Sequence, residues 1–507
     1  MKSKVAIVCI LKNEYSLIPS WICWHKHLGF DNFIIFDDGS TDGSREFLEH
    51  VKTIYNIEIH NPYSFDRSDY MIRQQEAYKW TLKEYKDKYE WLLFIDADEF
   101  ISFYNKFSVG EFLSRFEHAH AVGVNWCQYG ANGHIVDPML PIIEAYTRHG
   151  PTGNLFSSHV KSFVRPDKVG DQWINVHCFD IAPEFYFDAS GNEIEWSSTR
   201  GISNKSADWS IAKIMHYQVR SMQSFIERVK RRKDLSYNTQ TFYDIDTNQI
   251  DDPSPFEVSI TIRTRMEDIL VDFNEHLRCI VRKAIYRYAL AAIRKYKSLL
   301  TSLKSYHGTF VAWDERTGTL CHINNTKSMD PYLNYVFAIS DTNNEFIFIF
   351  AIDTHAGDFN SKQVIKLVDF ARLEIDETIN NTSVAISNII DSKFYSSEPS
   401  SGVISNDKEY KNKWELFAFD TTDKIQIGGR DFSSVIDSYV EANKEHLNDY
   451  NEQNISFSAS IPFMLERLSH LDKEDCIFIL RLLGISKGYS NIIHNNLVSK
   501  RNFGLDV

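Results

Sequence analysis

The sequence predicts an α/β fold with a mainly parallel, doubly wound sheet in its N-terminal part, followed by an all-β region and a helical C-terminal region. Two patterns support this prediction. Between residues 5 and 100 short apolar runs alternate with helical patterns, as repeated strand–helix–strand units do. Between residues 303 and 425 short β-rich segments are separated by turns rich in Gly, Asn, Asp and Ser, which is typical of an all-β module.

Length and composition indicate a folded protein of several domains. The 507 residues are 43% hydrophobic and 14% aromatic, which is too apolar for a disordered chain. The net charge of −14 argues against a nucleic-acid binder, because such proteins use excess Lys and Arg to displace counterions from phosphates. The seven scattered cysteines contain no CxxC pair and indicate neither a disulfide framework nor a thiolate zinc site. A cytoplasmic location is therefore expected.

The first elements follow from local patterns. The seven-residue apolar run Val5–Leu11 predicts a buried strand and not a signal peptide, and no stretch has the length of a membrane span. The first helix is predicted by apolar residues at helical spacing, Leu17, Trp21, Trp24 and Leu28. Gly29 follows as its stop signal. The third helix is predicted by another apolar face, Met71, Tyr78, Leu82, Tyr85 and Tyr89.

Polar residues follow three of the predicted strands. The first strand ends in Lys12-Asn13-Glu14, the second in Asp37-Asp38-Gly39-Ser40-Thr41-Asp42, and the fourth in Asp96-Ala97-Asp98-Glu99. Ligands of open α/β sheets bind outside the carboxyl ends of the strands, so these endings predict a site on one sheet edge. Asp96 and Asp98 are separated by one residue, which places both carboxylates on one side of an extended chain. Such oxygen ligands suit Mg²⁺ or Mn²⁺, although an isolated pair is also compatible with a solvated strand end.

The remainder of the chain divides into stretches of different character. Residues 121–220 contain strand candidates (AVGVNW, VKSFVRP, INVHCF) and loops, and a first domain is predicted over residues 1–235. Residues 255–300 predict a long amphipathic helix with a basic face, which would pack on the first domain or rest on an anionic membrane surface. Residues 303–425 form the predicted β module, and residues 430–507 return to helical periodicity.

Several segments together resemble the glycosyltransferase family 2 group, particularly its branch close to family 92. They are ILKNE, Trp21, His25 and Leu28-Gly29-Phe30, FIIFDDGSTDGS, WLLFIDADEF, and HYQVRSMQSFIERVKRR from His216 onward. The resemblance covers residues 4 to 233, under half of the chain. It implies a GT-A (Rossmann-like) fold and a reaction that transfers a sugar from a nucleotide sugar, with a UDP-sugar as the expected donor.

The resemblance also implies roles for individual residues. Asp38, helped by Asp37, would bind the base and ribose of the nucleotide, and Asn13 and Glu14 would line the same pocket. Arg73 matches a family position near the nucleotide, although a helix surface explains it equally well.

For the metal, Asp96 and Asp98 would hold Mn²⁺ or Mg²⁺ against the donor diphosphate, with Asp96 also contacting the donor. His216 would complete the metal site, and the competing interpretation is a core histidine. The basic residues Arg228, Lys230, Arg231, Arg232 and Lys233 would contact an anionic donor or acceptor, or form a solvated helix surface.

The proton acceptor is left open by the sequence. An inverting transfer needs a carboxylate that takes the proton of the acceptor hydroxyl. Asp171 and Asp180 are alternative candidates, with Lys161 and His177 nearby in sequence. The familiar Glu-Asp arrangement of related enzymes is absent here.

The predicted β module resembles the repeat of fascin-like β-trefoils. Two imperfect copies carry this resemblance: KFYSSEP with GVISN and WELF, and the weaker HGTF with GTL. They imply a carbohydrate-binding or acceptor-holding module.

The function expected is a metal-dependent, inverting glycosyltransferase acting on a glycan or lipid-linked saccharide in surface polysaccharide synthesis, with peripheral contact at the inner face of the membrane. Two alternatives remain. One is a carbohydrate-binding protein with an inactive transferase domain, and the other is a nucleotidyltransferase, which would release pyrophosphate.

Overall fold

The computed structural model divides into two compact units, Met1–Asn274 and Glu275–Val507. Within them it describes residues 5–66, 69–104, 107–138, 140–231, 239–295, 301–324, 332–340, 345–352, 365–376, 383–389, 392–399, 402–421, 426–427, 430–431, 434–435, 437–438, 468–483 and 485–502.

The first unit is built on a nine-stranded mixed sheet. Its strands are β1 (Val5–Leu11), β2 (Asn32–Asp37), β3 (Asn56–His60), β4 (Trp91–Phe94), β5 (Glu99–Phe103), β6 (Ala121–Gln128), β8 (Val160–Val164), β9 (Tyr186–Asp188) and β10 (Ala212–His216). A separate two-stranded ladder pairs β7 (Arg148–His149) with β11 (Ile250–Asp251).

The strand order in the large sheet is β3-β2-β1-β4-β8-β6-β10-β5, and β9 pairs with β6. The first four strands are parallel, as the alternating pattern of residues 5–100 predicts. Strand β8 is antiparallel to both β4 and β6, so it is inserted against the direction of its neighbours. The sheet is therefore parallel in its N-terminal part and mixed beyond β4.

Eight helices are described in or beginning in the first unit: α1 (Ile18–His27), α2 (Ser44–Val51), α3 (Tyr70–Glu84), α4 (Val109–Leu113), α5 (Ile142–Ala145), α6 (Met222–Arg231), α7 (Thr239–Ile245) and α8 (Ser259–Lys295). Helix α1 confirms the predicted first helix: Trp21 and Trp24 are buried, and Gly29 follows with a φ of +91°. Helix α8 confirms the long helix predicted after Pro255, and its stripe residues Phe273, Leu277 and Val281 are buried.

Two local predictions are wrong. Met71 is 51% exposed, because α3 buries the face that carries Arg73, Gln74, Ala77, Tyr78 and Thr81. The segment INVHCF is a loop and not a strand. The side-chain oxygen of Asn175 accepts hydrogen bonds from the backbone N–H groups of His177 (2.8 Å) and Cys178 (2.9 Å), which curls this apolar stretch into a local turn.

Among its described residues, the second unit contains an all-β sheet that closes on itself, followed by two helices. Its larger sheet comprises β12 (Thr301–Ser305), β13 (Phe310–Asp314), β14 (Thr319–Ile323), β15 (Leu333–Ser340), β16 (Phe346–Ile352), β17 (Ile365–Asp376), β18 (Ser383–Ser387), β19 (Phe394–Ser397), β20 (Ile404–Lys408) and β21 (Leu416–Thr421). A short ladder pairs β22 (Gln426–Ile427) with β23 (Arg430–Asp431). The helices are α9 (Lys473–Leu482) and α10 (Lys487–Asn502).

Six strands of this unit form a ring of antiparallel pairs in the order β12-β15-β16-β17-β18-β21, and β21 pairs back to β12. The hairpins β13–β14 and β19–β20 extend from the ring. Apolar side chains such as Leu303, Ile349 and Val384 pack together in its core. The predicted all-β region is confirmed as a barrel-like sheet. Within the described part of the chain, no helix is long and apolar enough to cross a membrane.

Candidate active site

The polar strand endings meet at one edge of the sheet, because β2, β1 and β4 are adjacent and parallel. Asn13 adopts a left-handed conformation with a φ of +57° directly after β1. Its backbone N–H donates to Ser40 Oγ (2.9 Å), and its side-chain oxygen accepts from the N–H of Thr41 (2.7 Å). Asn13 therefore fastens the loop after β1 to the loop after β2.

Asp38 is buried at the end of β2 and is held by a bidentate ion pair. Arg73 of α3 donates from Nε to Oδ1 (2.5 Å) and from Nη2 to Oδ2 (2.9 Å). The Arg73 guanidinium also lies over the ring of Tyr63, 4.5 Å from its centroid. Hydrogen bonding to Asp38 raises the pKa of Arg73 above its ordinary value. The structure thus brings the predicted Asp38 and Arg73 together as one buried, bidentate ion pair.

Asp37 and Glu14 stabilise the loops around this pair. Asp37 is buried and accepts a hydrogen bond from the backbone N–H of Ser40 (3.1 Å), and burial raises the pKa of its carboxyl group. Glu14 donates its backbone N–H to Ser44 Oγ (3.0 Å), while its carboxylate lies 3.3 Å from Nη1 of Arg220. Arg220, which follows β10, is buried and has a φ of +52°.

Asp96 follows β4 and is engaged by a buried lysine. Its Oδ2 lies 2.8 Å from Nζ of Lys161, and its Oδ1 accepts a weak hydrogen bond from Gln74 (3.4 Å). The backbone N–H of Asp96 donates to Glu99 Oε2 (2.9 Å). The side chain of Asp96 is 33% exposed, whereas those of Lys161 and Glu99 are fully buried.

Asp98 lies among positively charged and neutral nitrogen groups. Its Oδ1 is 3.8 Å from Nε2 of His216, and its Oδ2 is 3.3 Å from Nη1 of Arg228. Burial alone would raise the pKa of Asp98, but the ring of His216 when it is protonated, together with the guanidinium groups of Arg228 and Arg220, outweighs burial and lowers the pKa below its ordinary value. Asp98 is therefore ionised at neutral pH.

His216 is a buried neutral imidazole. Burial lowers its pKa to about 4, so the ring is uncharged at neutral pH. The ring packs against the indole of Trp126 with centroids 4.2 Å apart. Its Nδ1 has no hydrogen-bond partner among the described residues, and its separation from Asp98 exceeds a hydrogen bond.

The residues fit a divalent cation in part. An ionised carboxylate beside a neutral imidazole is a suitable donor set for Mn²⁺, and Asp98 and His216 provide it. Asp96, the third predicted ligand, is bound instead to Lys161. Accordingly, the described residues contain no group of three or more His, Cys, Asp or Glu side chains arranged to hold a metal ion.

The two candidate bases occupy a loop beyond β8. Asp171 is exposed. Asp180 accepts a hydrogen bond from the N–H of Gln172 (3.1 Å), and an added Cβ at Gly170 would lie only 2.1 Å from its Oδ2. Asp180 therefore stabilises this loop, and no contact described in the structure joins either aspartate to the Asp38 or Asp98 clusters.

Four residues of the site were missed as site residues by sequence reasoning: Lys161, Glu99, Arg220 and Trp126. Lys161 had a detectable signal, because it is a single lysine within the apolar strand VKSFV. Arg220 and Trp126 had none, since their roles depend on strands that pair far apart in sequence. Of the predicted basic cluster, Arg228 contacts the site and Lys230 is exposed. The side chain of Arg231, and Arg232 and Lys233 as a whole, lie outside the described residues.

Comparison with known proteins gives the class first: the curated relatives of this chain are glycosyltransferases. The model of glycosyltransferase family 92 matches residues 6–253, just under half of the chain. The chain is 26% identical over 193 residues to a glycosyltransferase family 92 protein of Oryza sativa subsp. japonica. The matched region covers 36% of this chain and 30% of that protein. The chain is 24% identical over 247 residues to one of Arabidopsis thaliana, covering 46% and 38%. The matches thus span about a third of each relative's length.

Solved structures give weaker likenesses. Residues 1–349 of S. aureus TarS in complex with UDP-GlcNAc match with 15% identity and a TM-score of 0.24, covering 52% of this chain and 72% of that chain. HddC from Yersinia pseudotuberculosis matches with 8% identity and a TM-score of 0.21, covering 34% and 80%. TM-scores this low establish no common fold, so the sequence matches support the glycosyltransferase class by themselves.

Proposed function

We propose that this protein is a metal-dependent glycosyltransferase that moves a sugar from a nucleotide sugar, expected to be a UDP-sugar, to a glycan or lipid-linked acceptor. The observation that carries the proposal is the pairing of ionised Asp98 with neutral His216 beside Arg228, at the same sheet edge as the buried Asp38–Arg73 pair. One end of this edge carries the Asp38 carboxylate and the Arg73 guanidinium group. The other end carries the proposed metal ligands Asp98 and His216 and the guanidinium group of Arg228.

The nucleoside would bind at the Asp38 end. A buried carboxylate can accept hydrogen bonds from the base or the ribose hydroxyls, and Arg73 holds it in one orientation. Asn13 and Glu14 shape the loops on either side, and Asp37 stabilises the turn between them.

The diphosphate would lie toward Asp98. A cation held by Asp98 and His216 would stabilise the negative charge that develops on the leaving diphosphate. Arg228 and Arg220 add positive charge that favours a phosphate group near Asp98. In this proposal Asp96 is a further ligand of the cation or the donor only if Lys161 releases it.

The acceptor hydroxyl must lose a proton during transfer. Asp171 and Asp180 stay the two candidate bases, and inversion of configuration is part of the proposal. His177 is no better suited at neutral pH, because burial lowers its pKa well below the ordinary value. A group that binds a proton so weakly supplies little driving force for its abstraction.

We further propose that the second unit is a β-trefoil-type module that holds a polysaccharide acceptor. Its support is the strand order, in which a six-stranded antiparallel ring carries hairpins after its first and fifth strands. Free cysteines support the proposed cytoplasmic location, and the long basic helix supports peripheral membrane contact during surface polysaccharide synthesis.

The test uses the full chain with Mn²⁺ and a panel of UDP- and GDP-sugars, measuring release of nucleoside diphosphate. We expect turnover with at least one donor and a loss of about a hundredfold or more in Asp98→Asn, because the charge that holds the cation is removed. Asp31→Asn, which neutralises an exposed aspartate paired with Lys26, should retain activity. Binding of no nucleotide sugar at all would refute the proposal, and release of pyrophosphate would identify a nucleotidyltransferase.

One observation favours the second candidate, a carbohydrate-binding protein with an inactive transferase domain. Lys161 occupies the carboxylate of Asp96, as a decayed metal site would allow. This candidate predicts nucleotide binding without turnover, and glycan binding by the full chain that Asp98→Asn leaves unchanged.

A further inference from the structure

The ammonium group of Lys161 lies inside the acidic strand ending that contains the predicted metal ligands Asp96 and Asp98. Its Nζ is 2.8 Å from Asp96 Oδ2 and 3.4 Å from Glu99 Oε2, and its side chain has no exposed surface. Strand β8 places it there. The antiparallel register pairs Leu93 with Phe163, so two residues further along, Lys161 arrives at the end of β4.

The ammonium group of Lys161 lies between two carboxylates. Its Nζ donates a hydrogen bond to Asp96 Oδ2 (2.8 Å), whereas Glu99 Oε2 is 3.4 Å away and also accepts the backbone N–H of Asp96. Asp96 is therefore the nearer partner of the lysine charge.

This contact divides the two aspartates. Asp96 directs one carboxylate oxygen to Lys161, while Asp98 directs its oxygens to His216 and Arg228. A divalent cation between the two aspartates would lie close to a buried positive charge, which has little solvent to screen it.

We propose that Lys161 is a built-in cation that withholds Asp96 from the metal, so that Asp98 and His216 bind a divalent ion weakly until a nucleoside diphosphate supplies further oxygen ligands. Lys161 acts here through Asp96 and is a positioning residue. The inference rests on the proposed nucleotide-sugar site. It adds that the site binds the cation tightly only when the nucleotide is also bound.

The test measures Mn²⁺ binding to the nucleotide-free full chain by electron paramagnetic resonance of the free ion. The variant Lys161→Met combined with Glu99→Gln removes the ammonium group and leaves Asp96 charged without a second buried carboxyl. We expect its Kd for Mn²⁺ to fall about tenfold below that of the unaltered chain, a change of 1.4 kcal/mol. Addition of UDP should lower the Kd for Mn²⁺ of the unaltered chain and should lower that of the variant by a smaller factor.

A matched control is available on the opposite face of β10. Lys213 is also a buried lysine paired with an aspartate, Asp252, but strand alternation directs it away from His216. The variant Lys213→Met combined with Asp252→Asn should leave the Kd for Mn²⁺ unchanged. Adding Asp98→Asn to the Lys161 variant should abolish the gained affinity, which places the gain at this site.

The proposal is supported if the Lys161 variant binds Mn²⁺ more than threefold more tightly than the unaltered chain and this gain depends on Asp98. It is overturned if the variant's Kd for Mn²⁺ is within threefold of that of the unaltered chain, or is higher. Lys161→Gln, whose amide can still donate to Asp96, provides a second variant judged by the same limits if the first fails to fold. Measuring UDP binding distinguishes failure of the proposed function from failure of the proposed role of Lys161. If the unaltered chain binds no nucleoside diphosphate, the proposed function fails; if it binds UDP and the Kd for Mn²⁺ is insensitive to Lys161, only the present inference fails.

Discussion

Arg73 and Asp38 form a two-point ion pair that joins helix α3 to the end of strand β2. Both side chains are nearly completely buried, and the Arg73 guanidinium lies over the ring of Tyr63. The pair fixes the orientation of a carboxylate at the sheet edge, where the proposed nucleoside would bind.

The first prediction concerns the geometry of this pair. Arg73→Lys keeps the charge but cannot make two parallel hydrogen bonds to Asp38, so the carboxylate should lose its fixed orientation. We expect about tenfold weaker UDP binding, measured by isothermal titration calorimetry. Arg45→Lys, which alters an exposed pair with Glu49, is the control and should bind UDP normally. Equal affinities for the two variants would show that Arg73 has no part in nucleotide binding.

The second prediction concerns Gly39, in the loop after β2. Its φ is +70°, and an added Cβ would lie 3.1 Å from the ring of Tyr63, which lies beneath Arg73. Gly39→Ala should cost about 1–2 kcal/mol of stability and should also weaken UDP binding by displacing the Tyr63 ring.

Gly191→Ala separates the two effects of that substitution. Gly191 also has a positive φ, +94°, but nothing lies within 4 Å of an added Cβ. It should lose similar stability in thermal unfolding and keep its UDP affinity. If both variants bind UDP equally, the contact between Gly39 and Tyr63 does not shape the nucleotide site.

The third prediction is a dependence of stability on pH that arises from His25. Its Nδ1 donates to the carbonyl of Trp21 (2.8 Å), and its Nε2 accepts from the N–H of Ile101 (3.4 Å). Protonation would turn Nε2 into a donor facing another donor. Burial lowers the pKa of His25 to about 3, so the folded protein disfavours the protonated ring.

The direction of this pH dependence follows from which state of the protein binds the proton. Below the unfolded pKa of about 6.5 the unfolded chain binds a proton that the folded chain does not, so stability falls as pH decreases. Between pH 6.5 and pH 5 the protonation of His25 in the unfolded chain should lower the free energy of unfolding by about 1.6 kcal/mol. His25→Gln should lose this part of the pH dependence in urea unfolding followed by tryptophan fluorescence, since eight of the ten tryptophans lie in the first unit. Identical pH profiles would contradict the assignment.

The fourth prediction concerns the buried pair of Lys213 and Asp252. Asp252 also accepts a hydrogen bond from Tyr129 (2.5 Å), and Lys213 donates to the same hydroxyl (3.2 Å). Asp252→Asn would leave an uncompensated buried ammonium group and should cost about 3–5 kcal/mol of unfolding free energy. The double variant Lys213→Met with Asp252→Asn should cost clearly less. Additive losses in this double-mutant cycle would show that the two groups do not interact.

Sequence patterns predict the first part of the sheet because its signals are local. Each of β1, β2 and β4 contains a continuous apolar run, and a parallel order brings their carboxyl ends to one edge. The meeting of Asn13 with the loop after β2 was therefore predictable. The face of α3 was predictable only in part. Tyr78, Tyr85 and Tyr89 are buried as predicted, whereas Met71 satisfies helical spacing and is exposed, and tertiary contacts bury Arg73 instead.

Beyond β4, local sequence patterns predict less of the secondary structure and of the site. The apolar segment INVHCF satisfies a strand pattern, but hydrogen bonds from the Asn175 side chain favour a turn. The acidic residues Asp171 and Asp180 suit the chemistry of a base, and only their loop shows that Asp180 stabilises its own backbone surroundings.

The sequence alone determined that Asp96 and Asp98 share a strand ending, and family resemblance paired them with His216. Only the tertiary structure separated the two aspartates. Strand β8 enters the sheet antiparallel between β4 and β6, and its register brings Lys161 to Asp96 while Asp98 faces His216 on β10. Such a division depends on which strands are neighbours and at what register, and those pairings are set by packing across the whole sheet rather than by the residues beside each aspartate.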